Sequence, residues 1–237
     1  ALRGGDRPKN AHDEFRGVDG AWHAAIQGIA AAQRAGLDVQ IQMTLTRDNL
    51  MDLPQVIRFS RDVGARVLTV FFLVCTGRGQ DLVDLTPEEY ERALGFLVKA
   101  QGNEVMIRPR CAPTFRRVLA QTTPDSILLK SDAGRCMAAK HYCRITPDGT
   151  VTPCPYMPVA VGHLRERSFS DVWRGSPLFQ ALRNPALKGR CGACEYRDVC
   201  GGCRARAFAL NGDPLAEDPW CTYVPGTDLP RSRQEVA

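Results

Sequence analysis

Residues 39–45 alternate in character: Val39, Ile41, Met43 and Leu45 are apolar, and Gln40, Gln42 and Thr44 between them are polar. A period of two predicts a strand with one apolar and one polar face. On either side the period lengthens. Trp22, Ala25, Ile26 and Ile29 predict a helix over 21–35 ended by Gly36, and the polar segment His12–Gly17 leads into it. Leu53, Val56, Ile57 and Val63 predict a second helix, with Asn49 as its cap and Gly64 as its close. Residues 67–74 are a largely apolar run, short enough for a buried strand. Thr86 and Glu89 then form a capping-box sequence with Pro87 at the first helical position, and Tyr90, Leu94, Leu97 and Val98 make an apolar stripe. Another strand is expected at Glu104–Pro109. Strand and helix in alternation predict α/β with a parallel sheet and right-handed crossovers.

The polar face of the first strand has two readings: an edge facing water, or the lining of a barrel that encloses something polar. In a barrel, functional groups collect where strands end. Those ends carry Thr46-Arg47, Cys75-Thr76-Gly77-Arg78-Gly79 and Arg108-Pro109-Arg110-Cys111. Arg116 and Arg117 bring the arginines to four within ten residues, a set suited to gripping carboxylates or simply a solvated basic face. Composition shifts from Ala112 onward, and the loop 122–126 is taken as the boundary between domains 1–125 and 126–237.

Past that loop, turn residues increase. Ile145–Val151 reads as a hairpin with Asp148-Gly149 at its turn, and short helices are expected near 168–174, 177–183 and 204–210. Composition adds limits. The chain has 237 residues, 44% of them hydrophobic, 24% charged, and a formal charge of +5. It lacks an apolar run of about 18 residues or an N-terminal apolar core, so no membrane span or signal peptide is read and a cytoplasmic location is expected. Lys and Arg are interleaved with Asp and Glu, which disfavours nucleic acid and fits a small anionic substrate or an ordinary surface.

Eight of the ten cysteines lie between Cys136 and Cys221, as Cys136-x6-Cys143-x10-Cys154, then Cys191-x2-Cys194-x5-Cys200-x2-Cys203, then Cys221. Cys-x2-Cys pairs behind a cysteine-free first 74 residues favour metal over disulfides. Eight thiols make two sets of four, each able to complete a tetrahedral zinc site or a fully ligated iron-sulfur cluster. For zinc, Cys191, Cys194, Cys200 and Cys203 form the simplest local set. His141 and His163 flank the first cysteines as possible ligands or as surface histidines; Cys75 and Cys111 are spare thiols.

Twelve residues separate Cys136 from Gly149 and four separate Gly149 from Cys154. With the cysteine quartet and Cys221, this spacing resembles the SPASM domain, the auxiliary-cluster extension of radical S-adenosylmethionine (SAM) enzymes. The last spacing in the quartet is two residues, where many members have three. The resemblance implies two interleaved [4Fe-4S] clusters, one on Cys136, Cys143, Cys154 and Cys203 and one on Cys191, Cys194, Cys200 and Cys221. His12–Gly17, Ala35-Gly36-Leu37, Thr44–Asn49 and Thr76–Gly79 resemble later parts of the partial (β/α)6 radical SAM barrel. Thr44 and Arg78 are then expected to contact SAM. Tyr142–Ile145, Thr152–Pro158 and Cys200–Ala207 look most like the heme-synthesis branch, whose substrates are anionic tetrapyrroles. Such a substrate suits Arg108, Arg110, Arg116 and Arg117; a peptide substrate and a non-catalytic two-centre module are the alternatives. The clusters imply an electron donor or acceptor as partner. The chain has no Cys-x3-Cys-x2-Cys, the motif that holds the catalytic cluster of the family. It is therefore expected to be the C-terminal portion of a longer enzyme or an orphaned homologue, inactive alone, with SAM and a third [4Fe-4S] cluster bound only in a full-length form.

Overall fold

The computed structural model describes residues 7–79, 82–102, 104–132 and 134–227, the side chains of residues 7–10 and of Arg78 excepted. The chain divides into two compact units, Ala1–Ala112 and Pro113–Ala237. This division falls where composition shifts, ahead of the loop 122–126.

The first unit runs α1 (Arg7–Arg16), α2 (Ala21–Arg34), β1 (Gln40–Leu45), α3 (Leu53–Asp62), β2 (Val67–Phe72), α4 (Pro87–Lys99) and β3 (Met106–Arg110). The strands pair in parallel in the order β1-β2-β3, with Gln40 opposite Val67 and Val67 opposite Met106. Among the described residues the sheet is open, with β1 and β3 as its outer strands and no closure into a barrel. Its core gathers on the central strand, where Val67, Leu68, Val70 and Phe72 are buried with Tyr90, Leu94 and Leu97 of α4. Phe72 meets Tyr90 edge to face at 4.9 Å between ring centroids. The capping box is formed: the Glu89 amide donates to Thr86 Oγ1 at 3.2 Å and the Thr86 amide to Glu89 Oε2 at 2.8 Å.

Two expectations change here. Asn49 does not cap α3; its side chain turns back, accepting from the Thr46 amide and donating to the Thr44 carbonyl, both at 2.9 Å, and a 3-10 turn at Leu50–Asp52 intervenes. The free backbone groups at the end of β1 are nearer partners than those of the helix. The segment His12–Gly17 is mostly helical, the end of α1, and its Asp13 accepts from the amides of Gly20 and Trp22 at the start of α2. No described helix is long and apolar enough to cross a membrane.

The second unit holds α5 (Thr114–Thr122), β4 (Arg144–Ile145), β5 (Thr150–Thr152), β6 (Gly162–His163), α6 (Phe169–Gly175), α7 (Pro177–Arg183), α8 (Gly189–Ala193) and α9 (Arg204–Asn211). β4 and β5 form the expected hairpin, and β6 adds an antiparallel third strand. Gly149 adopts φ +99° at the turn, which L residues disfavour, and a Cβ there would lie 3.3 Å from the His163 ring. α6 and α7 pack through Trp173 and Phe179 at 5.4 Å, with the Arg183 guanidinium 4.7 Å from the Trp173 ring.

Candidate metal centres

The thiols of the second unit are positioned by loops pinned through backbone hydrogen bonds. Between Cys136 and Cys143 the chain reverses in a tight turn, with Ala139 at φ +61° and fully buried. The turn is held by the Ala139 amide on the Tyr142 carbonyl at 2.9 Å and by Arg183 Nε on the Ala139 carbonyl at 2.8 Å. The hairpin returns the chain to Cys154, which is 4% exposed. Its sulfur accepts from Tyr142 Oη and the Tyr156 amide, both at 3.5 Å. Burial pushes the Cys154 thiol up, those two hydrogen bonds pull it down, and the neighbouring Cys136 pushes it up again.

Cys191 lies on α8, and Cys194 ends that helix. These two, with Cys200 and Cys221, line one recess together with Thr114, Arg117, Arg190 and Asp218. The Asp218 amide donates to Cys191 Sγ at 3.3 Å, and the Gly202 amide to Cys200 Sγ at 3.3 Å. Burial pushes the Cys200 thiol up to about 12, and Cys221 and Cys191 are among the groups acting on it. Cys203 does not line this recess. It is 4% exposed, and its amide donates to Asp218 Oδ2 at 2.7 Å.

Several observations bear on whether this donor set suits a bound group. Four thiols face one space, and two of their sulfurs already accept N–H bonds, as ligand sulfurs in iron-sulfur proteins do. Thr114 Oγ1 is buried in the same lining with no hydrogen-bond partner among the described residues, a polar atom facing the recess. Gly201 and Gly202, at φ +68° and +65°, let the backbone approach the thiols. Among the described residues, no three His, Cys, Asp or Glu side chains converge closely enough to hold a single metal ion.

The remaining sequence candidates are distributed as follows. Arg108 and Arg110 lie on the exposed face of β3. The structure places Arg116 and Arg117 otherwise than in a solvent-facing basic group: both are on α5 and at most 3% exposed. Arg116 donates to the carbonyls of Leu128, Leu129, Ser131 and Val199 at 2.7–3.0 Å. Arg117 donates to Gln121 Oε1 at 2.7 Å, lines the cysteine recess and lowers the Cys194 thiol, which burial otherwise pushes up. Thr44 is half-buried on β1; the Arg78 side chain lies outside the described residues. His141 is exposed 4.0 Å from Asp132, and His163 Nδ1 accepts from the Arg165 amide at 3.2 Å; neither lines the recess.

Thr114 and Asp218 line the recess without belonging to any motif in the sequence. The apolar spacing of Phe115, Val118 and Leu119 is a signal for α5, and so for Thr114. Nothing in sequence distinguishes Asp218 from other acidic loop residues.

Residues 136–195 match the SPASM family model, described as an iron-sulfur cluster-binding domain. The chain is 37% identical over 225 residues to the AdoMet-dependent heme synthase of Methanosarcina barkeri, covering 91% of this chain and 64% of that protein. It is 38% identical over 226 residues to the AdoMet-dependent heme synthase of Oleidesulfovibrio alaskensis, covering 90% and 58%. The chain thus spans about three-fifths of the length of the curated relatives it matches. In fold it resembles Streptococcus suis SuiB, at a TM-score of 0.61 and 15% identity, over 87% of this chain and 50% of that one. A further SuiB structure, at a TM-score of 0.60, is bound to the precursor peptide SuiA. The thiol-rich unit, the open parallel sheet and these likenesses together identify the chain as a radical SAM/SPASM family protein, similar over most of its length to AdoMet-dependent heme synthases.

Proposed function

We propose that this chain is the auxiliary-cluster portion of a radical SAM oxidoreductase that acts in the cytoplasm on an anionic tetrapyrrole in heme biosynthesis. It would hold two [4Fe-4S] clusters, the first on Cys136, Cys143, Cys154 and Cys203 and the second on Cys191, Cys194, Cys200 and Cys221. One observation carries the cluster grouping. Cys221 lines the recess of Cys191, Cys194 and Cys200, and the sequence-adjacent Cys203 does not. The compact zinc set of four consecutive cysteines is disfavoured by that placement.

Bound there, a saturated cluster supplies one-electron storage, with no open site for substrate. The chain's own residues hold it. Amide donors from Asp218 and Gly202 stabilise thiolate sulfurs, Arg117 supplies positive charge beside Cys194, and α5 closes one side with Thr114. Cleavage of SAM belongs to a Cys-x3-Cys-x2-Cys site, which this sequence does not contain. Thr44 and Arg78 are proposed to touch SAM, and Arg108 and Arg110, exposed on β3, are proposed to meet the substrate's carboxylates. Identity of 37% to a heme synthase, against 28–30% to PqqA peptide cyclases, weighs for a tetrapyrrole over a peptide.

Anaerobic reconstitution tests the reading. About eight iron and eight acid-labile sulfide per chain are expected, with about half lost in Cys221→Ser and the other half in Cys203→Ser. About two zinc per chain without sulfide overturns it. For the substrate, the full-length protein is titrated with an iron-porphyrin and with a candidate precursor peptide; saturable binding of the peptide alone reverses the assignment.

A further inference from the structure

Asp218 touches both groups of thiols. It is 1% exposed. Its Oδ2 accepts from the Cys203 amide at 2.7 Å, its Oδ1 from the Trp220 amide at 3.1 Å, and its own amide donates to Cys191 Sγ at 3.3 Å. Cys203 belongs to the first proposed set and Cys191 to the second. The side chain also packs on Gly202, where a Cβ would come within 2.8 Å of Asp218 Cβ. The cation beside it, Arg204, approaches Cys191 Sγ at 3.8 Å and donates to the carbonyls of Pro214 and Ala216 at 3.1 and 2.6 Å. Among the described residues Asp218 forms no salt bridge, and its carboxylate is held by the Cys203 and Trp220 amides between the two groups of thiols.

We propose that Asp218 is a positioning residue shared by the two iron-sulfur centres. Its carboxylate fixes the Cys203 amide of the first, and its amide supports the Cys191 thiolate of the second. The centres are therefore built together, and the carboxylate sets how readily the second takes up an electron. Negative charge beside a cluster disfavours the reduced state, whereas N–H donation to sulfur favours it. The inference rests on the ligand grouping proposed above.

The test is an anaerobic titration of the reconstituted full-length protein with dithionite, which donates one electron to each cluster, followed by electron paramagnetic resonance. Asp218→Asn keeps an acceptor oxygen and the backbone donor but removes the charge. Iron and sulfide at both centres are expected to be retained, with the second centre about tenfold easier to reduce, a rise of about 59 mV for one electron. Asp218→Ala, which removes the acceptor for the Cys203 amide of the first centre and the acceptor for the Trp220 amide that holds the loop carrying Cys221 of the second, is expected to lose iron from both centres together. Circular dichroism establishes that the variants fold. Unchanged potentials in a fully loaded Asn variant overturn the inference, as does loss confined to one centre in either variant. Cys221→Ser separates the two levels: if it removes one centre while the Asp218 variants behave as wild type, the grouping stands and only the role of Asp218 fails. If wild-type protein takes up no iron and sulfide, both fail.

Discussion

Arg116 Nε donates to the Val199 carbonyl at 2.8 Å although 83 positions separate the two residues. The same guanidinium reaches the carbonyls of Leu128, Leu129 and Ser131. One side chain thus joins α5, the loop after it, and the segment that delivers Cys200. Replacing it with Met leaves four carbonyls in part-buried surroundings to find other donors. Arg116→Met is expected to lower the stability of the metal-free protein by about 2–4 kcal/mol, read from the denaturant midpoint. Arg116→Lys keeps the charge without the planar fork and is expected to fall between Met and wild type.

Gly202 and Gly201 are adjacent, and both are left-handed. Only at Gly202 would a Cβ collide, 2.5 Å from Arg204 Nη2 and 2.8 Å from Asp218 Cβ; at Gly201 the nearest atom is the Arg197 carbonyl at 3.5 Å. Gly201→Ala is expected to cost about 1–2 kcal/mol in backbone strain alone. Gly202→Ala adds the displacement of Asp218, so reconstituted Gly202→Ala should hold measurably less iron than Gly201→Ala. Equal iron contents would show that the crowding at Gly202 relaxes.

Cys200 predicts a pH dependence of the metal-free protein. Its thiol is held near 12 in the folded chain against an ordinary value of 9.0. Between those values the unfolded chain has lost the proton and the folded chain has kept it. Stability of the metal-free protein is therefore expected to fall as pH rises above about 9, in denaturant melts compared at successive pH values. Cys200→Ser is expected to flatten this slope, with the Cys143, Cys154 and Cys194 thiols, which burial also pushes up, supplying the rest. At neutral pH the same thiol must give up its proton to become a ligand, so loading releases protons into a weakly buffered solution.

The capping box of α4 makes a control in the unit that carries none of the eight clustered cysteines. Thr86→Ala removes an N-cap and is expected to cost about 1 kcal/mol. Glu89 is held below its ordinary value first by the Thr86 amide, with Arg47 adding to it. Its contribution is present above the unfolded carboxylate range and lost as pH falls through the lowered folded value. Thr86→Ala leaves that amide in place, so the Glu89 value should stay low in a carboxylate titration by NMR while stability drops.

How much of this was legible in the chain depended on the kind of signal. The alternation of 39–45 and the Thr86–Glu89 box are local, and each formed within a residue or two of its expected place. No helix is expected at α5 because its arginines read as a carboxylate-gripping set or a solvated face, although Phe115, Val118 and Leu119 carry the helical period. An arginine that donates to four carbonyls is written with the same letter as one that awaits a carboxylate. Asn49 was assigned to the helix ahead of it, and the strand behind it offered the closer partners. For the cysteines, spacing gave two sets of four; which thiols face one recess depends on how α8 and the loop before Cys221 fold back, a long-range fact.

The open sheet has a consequence for handling. Among the described residues, β1 and β3 each have one strand neighbour, so the first unit offers two rows of backbone donors and acceptors to any extended segment that meets them. An edge of this kind is a template for strand addition wherever it is left uncovered. Concentrated preparations of this chain should be screened for strand-mediated association by light scattering, and lysine substitutions at the outward Gln40 and Gln42 are the mildest way to discourage it.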